Sequence, residues 1–183
     1  MQLYIPNTQE NNIIVFDIEY DGPQLVQLAF LILTKTAPNI FRVSKSFNTY
    51  INSGHQLSNF FTRYTHITNE FLCDNGIDLT VARSLVQDCL LDVDPNDCIV
   101  TSHGVKNDLE LLYRHGIKFK DCKTHYCTYN MARKLLHRTD HLSLKAIAIE
   151  GGYYAFNEHN AYADVWSTLH AFCFLKEYEY ASN

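Results

Sequence analysis

The chain has 183 residues, 46% of them hydrophobic and 19% charged, with a formal net charge of −5. Those figures fit one soluble globular domain with a sizeable core and argue against a long basic groove that tracks duplex nucleic acid. The longest apolar stretch, Leu25 to Leu33, is broken by Gln27 and is too short to span a bilayer; the start, Met-Gln-Leu-Tyr-Ile-Pro-Asn, lacks the features of a signal segment, so the expectation is a cytoplasmic protein (host cytoplasm, if viral or phage) with no membrane partner.

In chain order, Ile13-Ile14-Val15-Phe16 is a continuous apolar run ending at an acid, the pattern of a buried central strand. Asp21-Gly22-Pro23 punctuates a turn; Leu25 to Leu33 and Ile40 to Tyr50 then read as second and third strands, so that a three-stranded antiparallel meander is predicted. From Leu79 the period changes. Leu79 to Leu91 repeats apolar residues at helical spacing, and Cys98 to Thr101 is a short strand. Asn107 to His115 is helical and stopped by Gly116. Tyr126 to Leu136, Ser143 to Ile149 and Ala161 to Phe174 are further helices. Strands followed by helices alternating with short strands predict an α/β domain with a mixed central sheet and helices on both faces.

Six cysteines, at 73, 89, 98, 122, 127 and 173, are spread along the chain and are expected to be reduced thiols. Cys122, His125, Cys127 and His137 lie within sixteen residues, but their spacing matches no common zinc pattern. Buried thiols and core or exposed imidazoles are the favoured reading of that group.

Three acidic clusters carry the chemistry: Asp17-Ile18-Glu19, the segment Ser102-His103-Gly104 leading to Asp108, and His159 followed by Asp164. Asp17 and Glu19 sit two apart at a strand's end, so both carboxylates project to one face while Ile18 goes to the other. Asp108 falls in the first turn of a helix after a strand, beside the loop where α/β sheets place ligand-binding groups. His159 immediately precedes a helix whose first turn carries Asp164. Singly, each cluster has an ordinary structural reading. Jointly they supply four carboxylates and an imidazole, the inventory for holding two divalent cations and deprotonating a water beside them. Two such cations would neutralise four acids and leave the site open to phosphate despite the net charge; without a basic groove, the expected footprint is one to a few nucleotides.

The three clusters resemble the motifs of the DEDDh 3′–5′ exonucleases, a branch of the DnaQ-like, ribonuclease-H-like superfamily. Asp17, Glu19, Asp108, His159 and Asp164 match the five functional positions in order, over about Ile13 to Leu175, nearly the whole chain. Tyr64-Thr65-His66-Ile67-Thr68-Asn69-Glu70 is similar to the family's L-T-G-I-T-x-E segment, Cys127 to Arg133 to its D-T-x-x-x-A-R helix start, and Leu142 to Ala148 to its L-x-L-x-x-L-A helix. The chain departs from the family at Tyr20-Asp21-Gly22, where Thr-Thr-Gly is usual, at Gly104 in place of an asparagine, at His66 in place of a glycine and at Cys127 in place of an acid. The histidine five before the last acid points to the DEDDh branch; the tyrosine branch would carry a tyrosine where Asn160 stands.

The resemblance implies a ribonuclease-H-like fold over a single domain, residues 1–183, and a metal-dependent 3′–5′ exonuclease releasing nucleoside 5′-monophosphates from a single-stranded DNA or RNA 3′ end. Asp17, Glu19, Asp108 and Asp164 would hold two Mg²⁺ or Mn²⁺ ions, and His159 would act as general base. Ile18 (through its backbone), Tyr20, His66, Thr68 and His103 are the expected substrate contacts, with Tyr20 placed to stack on a base. A polymerase or a second copy of the chain is a further conceivable partner. The competing readings are a binding module of the same fold without catalysis, a proofreading subunit, and a domain with a Cys/His zinc site.

Overall fold

The computed structural model describes residues 1–119, 122–137, 142–154 and 159–182. After β1 (Gln2–Tyr4), the chain forms a meander of β2 (Asn12–Asp21), β3 (Gln24–Ala37) and β4 (Ile40–Ile51). There follow α1 (Asn59–Thr65), α2 (Asn69–Asn75), β5 (Gly76–Ile77), α3 (Leu79–Cys89), a 3₁₀ turn at Pro95–Asp97, β6 (Cys98–Ser102), α4 (Val105–Arg114), β7 (Thr124–Cys127), α5 (Thr128–Leu135), α6 (Leu144–Glu150) and α7 (Ala161–Ala181). One mixed sheet takes the order β1-β4-β3-β2-β6-β7, with β5 also beside β4. The meander is antiparallel, while β6 and β7 run parallel to β2. The expected α/β architecture with its meander is therefore present.

The pleat of β2 distributes its side chains between two cores. Ile14, Phe16 and Ile18 pack with Ala82 and Val86 of α3 and Leu111 and Leu112 of α4. Ile13 and Val15 face the other way, onto Val165, Leu169 and Phe172 of α7. Helices thus cover both faces. α7 is apolar on more than one side because it lies between the sheet and the α5–α6 pair, which Ala171 and Leu175 touch. The tight β2–β3 turn uses Gly22 at φ 58°, a left-handed conformation that a side chain disfavours.

The structure extends or corrects several predicted elements. The helix expected over Tyr126 to Leu136 begins as strand β7 and turns helical only at Thr128. Four residues carry too short a pattern to declare a strand, and here the ladder from β6 supplies the reason for extension. α7 continues past Phe174 to Ala181, helped by Lys176, whose buried ammonium donates to Asn7 O and Glu179 Oε2. Helices α1 and α2 were not evident in the sequence. Each is seven residues long and rests on a side-chain cap, Ser58 or Thr68, and on packing of Phe61 or Leu72 against Val26 of β3.

Candidate active site

The site is assembled at the C-terminal end of β2. Asp17 and Glu19 lie on the face toward α7, while Ile18 is buried in the opposite core, as the alternation requires. The ladder is irregular here: Glu19 pairs with Gln27 but Tyr20 pairs with Leu25, which leaves Val26 as an extra residue on β3. Such a bulge twists and re-aims the strand end beside a site.

Gln27, fully buried opposite Glu19, ties the start of α7 to the sheet. Its Oε1 accepts from Ala161 N at 3.1 Å, and its Nε2 donates to Asn48 Oδ1 at 2.9 Å. Asn160 caps α7 through Ala163 N, and its Nδ2 donates to Tyr50 Oη at 3.3 Å. These bonds fix the first turn of α7, which carries Asp164. The carboxylates of Asp17, Glu19 and Asp164 consequently meet, each offering a ligand oxygen within 4.8 Å of the others. His159, at φ 62°, donates its backbone N–H to Asp164 Oδ2 at 3.1 Å, and its ring stands against Tyr64 with centroids 3.7 Å apart.

Asp108 enters from the other side of β2, in the first turn of α4. Ser102, the last residue of β6, donates its hydroxyl to Asp108 Oδ2 at 2.7 Å and accepts from Gly104 N at 3.2 Å. A Cβ on Gly104 would meet the Asp108 carboxylate only at ordinary contact distance, so the missing family asparagine leaves no steric signature. His103 pairs with Thr128 Oγ1 through Nδ1 at 2.9 Å and accepts Cys127 Sγ on its carbonyl at 3.2 Å, which links the ends of β6 and β7.

Three carboxylates that meet, with Asp108 outside the group but near enough to act on Asp17 and Glu19, repel one another, and the titration behaviour follows. Burial, then Asp164, Glu19 and Asp108, push the Asp17 carboxyl well above the usual carboxylate range. Burial, then Asp164 and Asp108, push Glu19 up to about 7. Burial also raises Asp108, against the lowering effect of the Ser102 hydroxyl and the Gly104 N–H. A cluster that holds protons so tightly is one a hard divalent cation would relieve, and oxygen donors of this kind suit such an ion. Among the described residues this is the single metal-ligand grouping; Cys122, His125, Cys127 and His137 do not converge into another.

Beside Glu19 a cleft of about 310 Å³ is lined by Tyr20, Gly22, Phe60, Phe61, Tyr64 and Thr65. Asp21 holds its wall in place: its carboxylate accepts from Ser58 N at 2.5 Å and Ser58 Oγ at 2.8 Å, anchoring the cap of α1 to the end of β2. Phe60 and Tyr64, one turn apart on α1, stack at 5.7 Å and are 77% and 53% exposed, and Tyr20 is 48% exposed. Of the expected substrate contacts, Tyr20 lines this cleft, and His66 and Thr68 each hold a helix end. His66 closes α1 in the left-handed conformation at φ 62°, where the family pattern has glycine, and Thr68 caps α2 through Phe71 N at 3.1 Å.

The exonuclease family profile matches residues 14–172. The chain belongs to that family. That family is one of nucleases and implies divalent cations as cofactors. Its fold is similar to the 3′-exonuclease solved recognising the 3′ end of a histone mRNA stem-loop (TM-score 0.69, 14% identity, 93% of this chain and 65% of that one). It is similar as well to E. coli Exonuclease I in complex with a dA16 oligonucleotide (TM-score 0.69, 14% identity, 93% and 43%). A third likeness is to the nuclease domain of 3′hExo, a DEDDh family member, bound to rAMP (TM-score 0.67, 12% identity, 94% of both). This chain thus spans less than two thirds of the first two, and at these identities the likeness concerns the fold, which is ribonuclease-H-like. No curated protein is a significant match by sequence.

Sequence reading had missed Gln27, Asp21, Phe60 and Tyr64 as parts of the candidate site. A signal existed for three of them. Gln27 is the one polar residue inside an apolar strand run, a position that demands buried partners. Phe60 and Tyr64 are aromatic at i and i+4 in a short helix with little core to fill. Among the described residues no helix is long and apolar enough to cross a membrane.

Proposed function

We propose that the chain is a DEDDh-type 3′–5′ exonuclease, acting as a single domain, that removes nucleoside 5′-monophosphates from the 3′ end of single-stranded DNA or RNA. The observation that carries this reading is the meeting of Asp17, Glu19 and Asp164 within 4.8 Å, with the backbone N–H of His159 donating to the last of them. Asp17, Glu19 and Asp164, with Asp108, would hold two divalent cations, Mg²⁺ or Mn²⁺. Bound there, the ions supply an acidified water and charge stabilisation at the leaving oxygen.

The chain's own groups do the rest. His159 takes the proton of the attacking water, and Tyr64 packs on its ring and restrains it. The terminal base enters the cleft between Tyr20 and the Phe60–Tyr64 pair, where stacking is open to every base. The backbone at Ile18 to Tyr20 flanks the terminal nucleotide. Two helices facing this edge, α4 and α5, have no side-chain cap, unlike α1, α2, α3, α6 and α7; their N-termini add favourable dipoles for phosphate beside Asp108. Digestion of 5′-labelled and 3′-labelled single strands tests the reading. Expected are a one-nucleotide ladder from the 5′ label, nucleoside 5′-monophosphate as the first product from the 3′ label, and discrimination between DNA and RNA read from the same gel. Internal cuts, or mononucleotide released first from the 5′ end, would overturn it.

A further inference from the structure

The carboxylates lie between two aromatic features on opposite sides of β2. On the β3–β4 side stands the α1 cleft. On the β6–β7 side, starting next to the Ser102–Asp108 hydrogen bond, a row of side chains leads outward along α5. His103 stands edge-on to Tyr129, centroids 5.7 Å apart and rings at 87°. One helical turn on, the guanidinium of Arg133 lies 5.9 Å from the centre of the Tyr129 ring. Thr128 fixes the head of the row through His103 Nδ1.

Arg133 is exposed, and among the described residues it makes no ion pair. In a chain of net charge −5, an unneutralised arginine at the end of an aromatic row beside an acidic centre is suited to an anion. A ring beneath it holds a guanidinium in place without consuming its hydrogen-bond donors. Alternating rings and cations are also what a single strand meets on a binding surface.

We propose that the His103–Tyr129–Arg133 row is the track of the substrate strand upstream of the cleaved residue, with Arg133 contacting a backbone phosphate. This rests on the nuclease reading and adds a direction to it: the terminal base sits in the α1 cleft, the strand crosses the carboxylates, and it leaves over α5. Arg133 is a positioning contact for the polymer and takes no part in bond breaking. It is therefore needed for an oligonucleotide and dispensable for a mononucleotide ester.

The test measures two quantities for wild type, Arg133→Ala, Arg133→Glu and Arg133→Lys. One is the affinity for a fluorescein-labelled single-stranded 20-mer in EDTA, by anisotropy across a salt series. The other is hydrolysis of thymidine 5′-(p-nitrophenyl phosphate) with Mn²⁺. Loss of the cation should weaken Kd roughly tenfold at low salt and reduce the slope of log affinity against log salt by about one. Lysine should restore most of both, and ester hydrolysis should stay within about twofold of wild type. Unchanged affinity and slope in Arg133→Glu would overturn the proposal, as would an equal loss on ester and oligonucleotide. A wild type that binds the 20-mer through Arg133 yet leaves ester and oligonucleotide intact would instead sink the nuclease reading and keep the track.

Discussion

Substituting Glu19 by glutamine removes a charge that the folded state holds at a cost. The carboxyl sits at about 7 in the folded chain against an ordinary 4.5. Below pH 4.5 it is protonated folded and unfolded alike, so nothing is lost. Between 4.5 and 7 the folded state keeps a proton that the unfolded state releases, so stability falls as pH rises; above 7 the loss is complete. At about 1.4 kcal/mol per pH unit, the 2.5-unit difference amounts to about 3 kcal/mol, and Asp17, shifted in the same direction, adds to it. Urea unfolding of wild type and Glu19→Gln in EDTA, from pH 5 to 8, reads this directly. The wild type should lose about 2–3 kcal/mol relative to the variant over that range, leaving Glu19→Gln the more stable protein at pH 8. Added Mn²⁺ should reverse the order, because the ion binds only the folded wild-type cluster tightly. Parallel pH profiles, or a wild type that stays the more stable at pH 8 in EDTA, would refute the argument that these acids are held together against their own repulsion.

Other outcomes follow from the same contacts. Gln27→Leu leaves the buried Ala161 N–H without its acceptor and frees the exposed Asn48 Oδ1, so urea unfolding should show a loss of roughly 1–3 kcal/mol, with activity falling because the first turn of α7 loosens. His159→Ala should lower kcat by about 10²–10⁴ while leaving Mn²⁺ binding in calorimetry close to wild type. Phe60→Ala should raise KM for a single strand by roughly tenfold, from about 1–3 kcal/mol of lost stacking; Tyr64→Ala should lower kcat as well, since its ring also packs on His159.

Much of this was legible before the structure, for physical reasons that differ by residue. Asp17 and Glu19 stood out because a two-residue period at the end of a buried apolar run puts both carboxylates on one face, and they acquired meaning jointly with Asp108, His159 and Asp164; the meander followed from turn chemistry at Asp21 to Pro23. What stayed hidden depended on distant partners. Thr124 to Cys127 becomes strand because β6 offers a parallel edge, and α1 and α2 exist through their caps and their docking on Val26. The helix-end roles of Thr68, whose hydroxyl caps α2, and of His66, whose backbone closes α1, likewise depend on how those short helices dock. The convergence of Asp164 on β2 is set by Gln27, a residue the sequence showed only as an interruption of an apolar run.

The central claim is that Asp17, Glu19 and Asp164 hold the divalent ions on which cleavage depends. The measurement that tests it most directly is the rate of 3′-terminal cleavage of a 5′-labelled single strand against Mn²⁺ concentration, for wild type and Asp164→Asn, with an EDTA control. The account predicts saturable activation of the wild type, none in EDTA, and a variant slower by roughly 10² or more at every concentration, the scale expected when stabilisation of developing charge is lost. Cleavage that survives EDTA, or an Asp164→Asn protein as active as wild type, would contradict it.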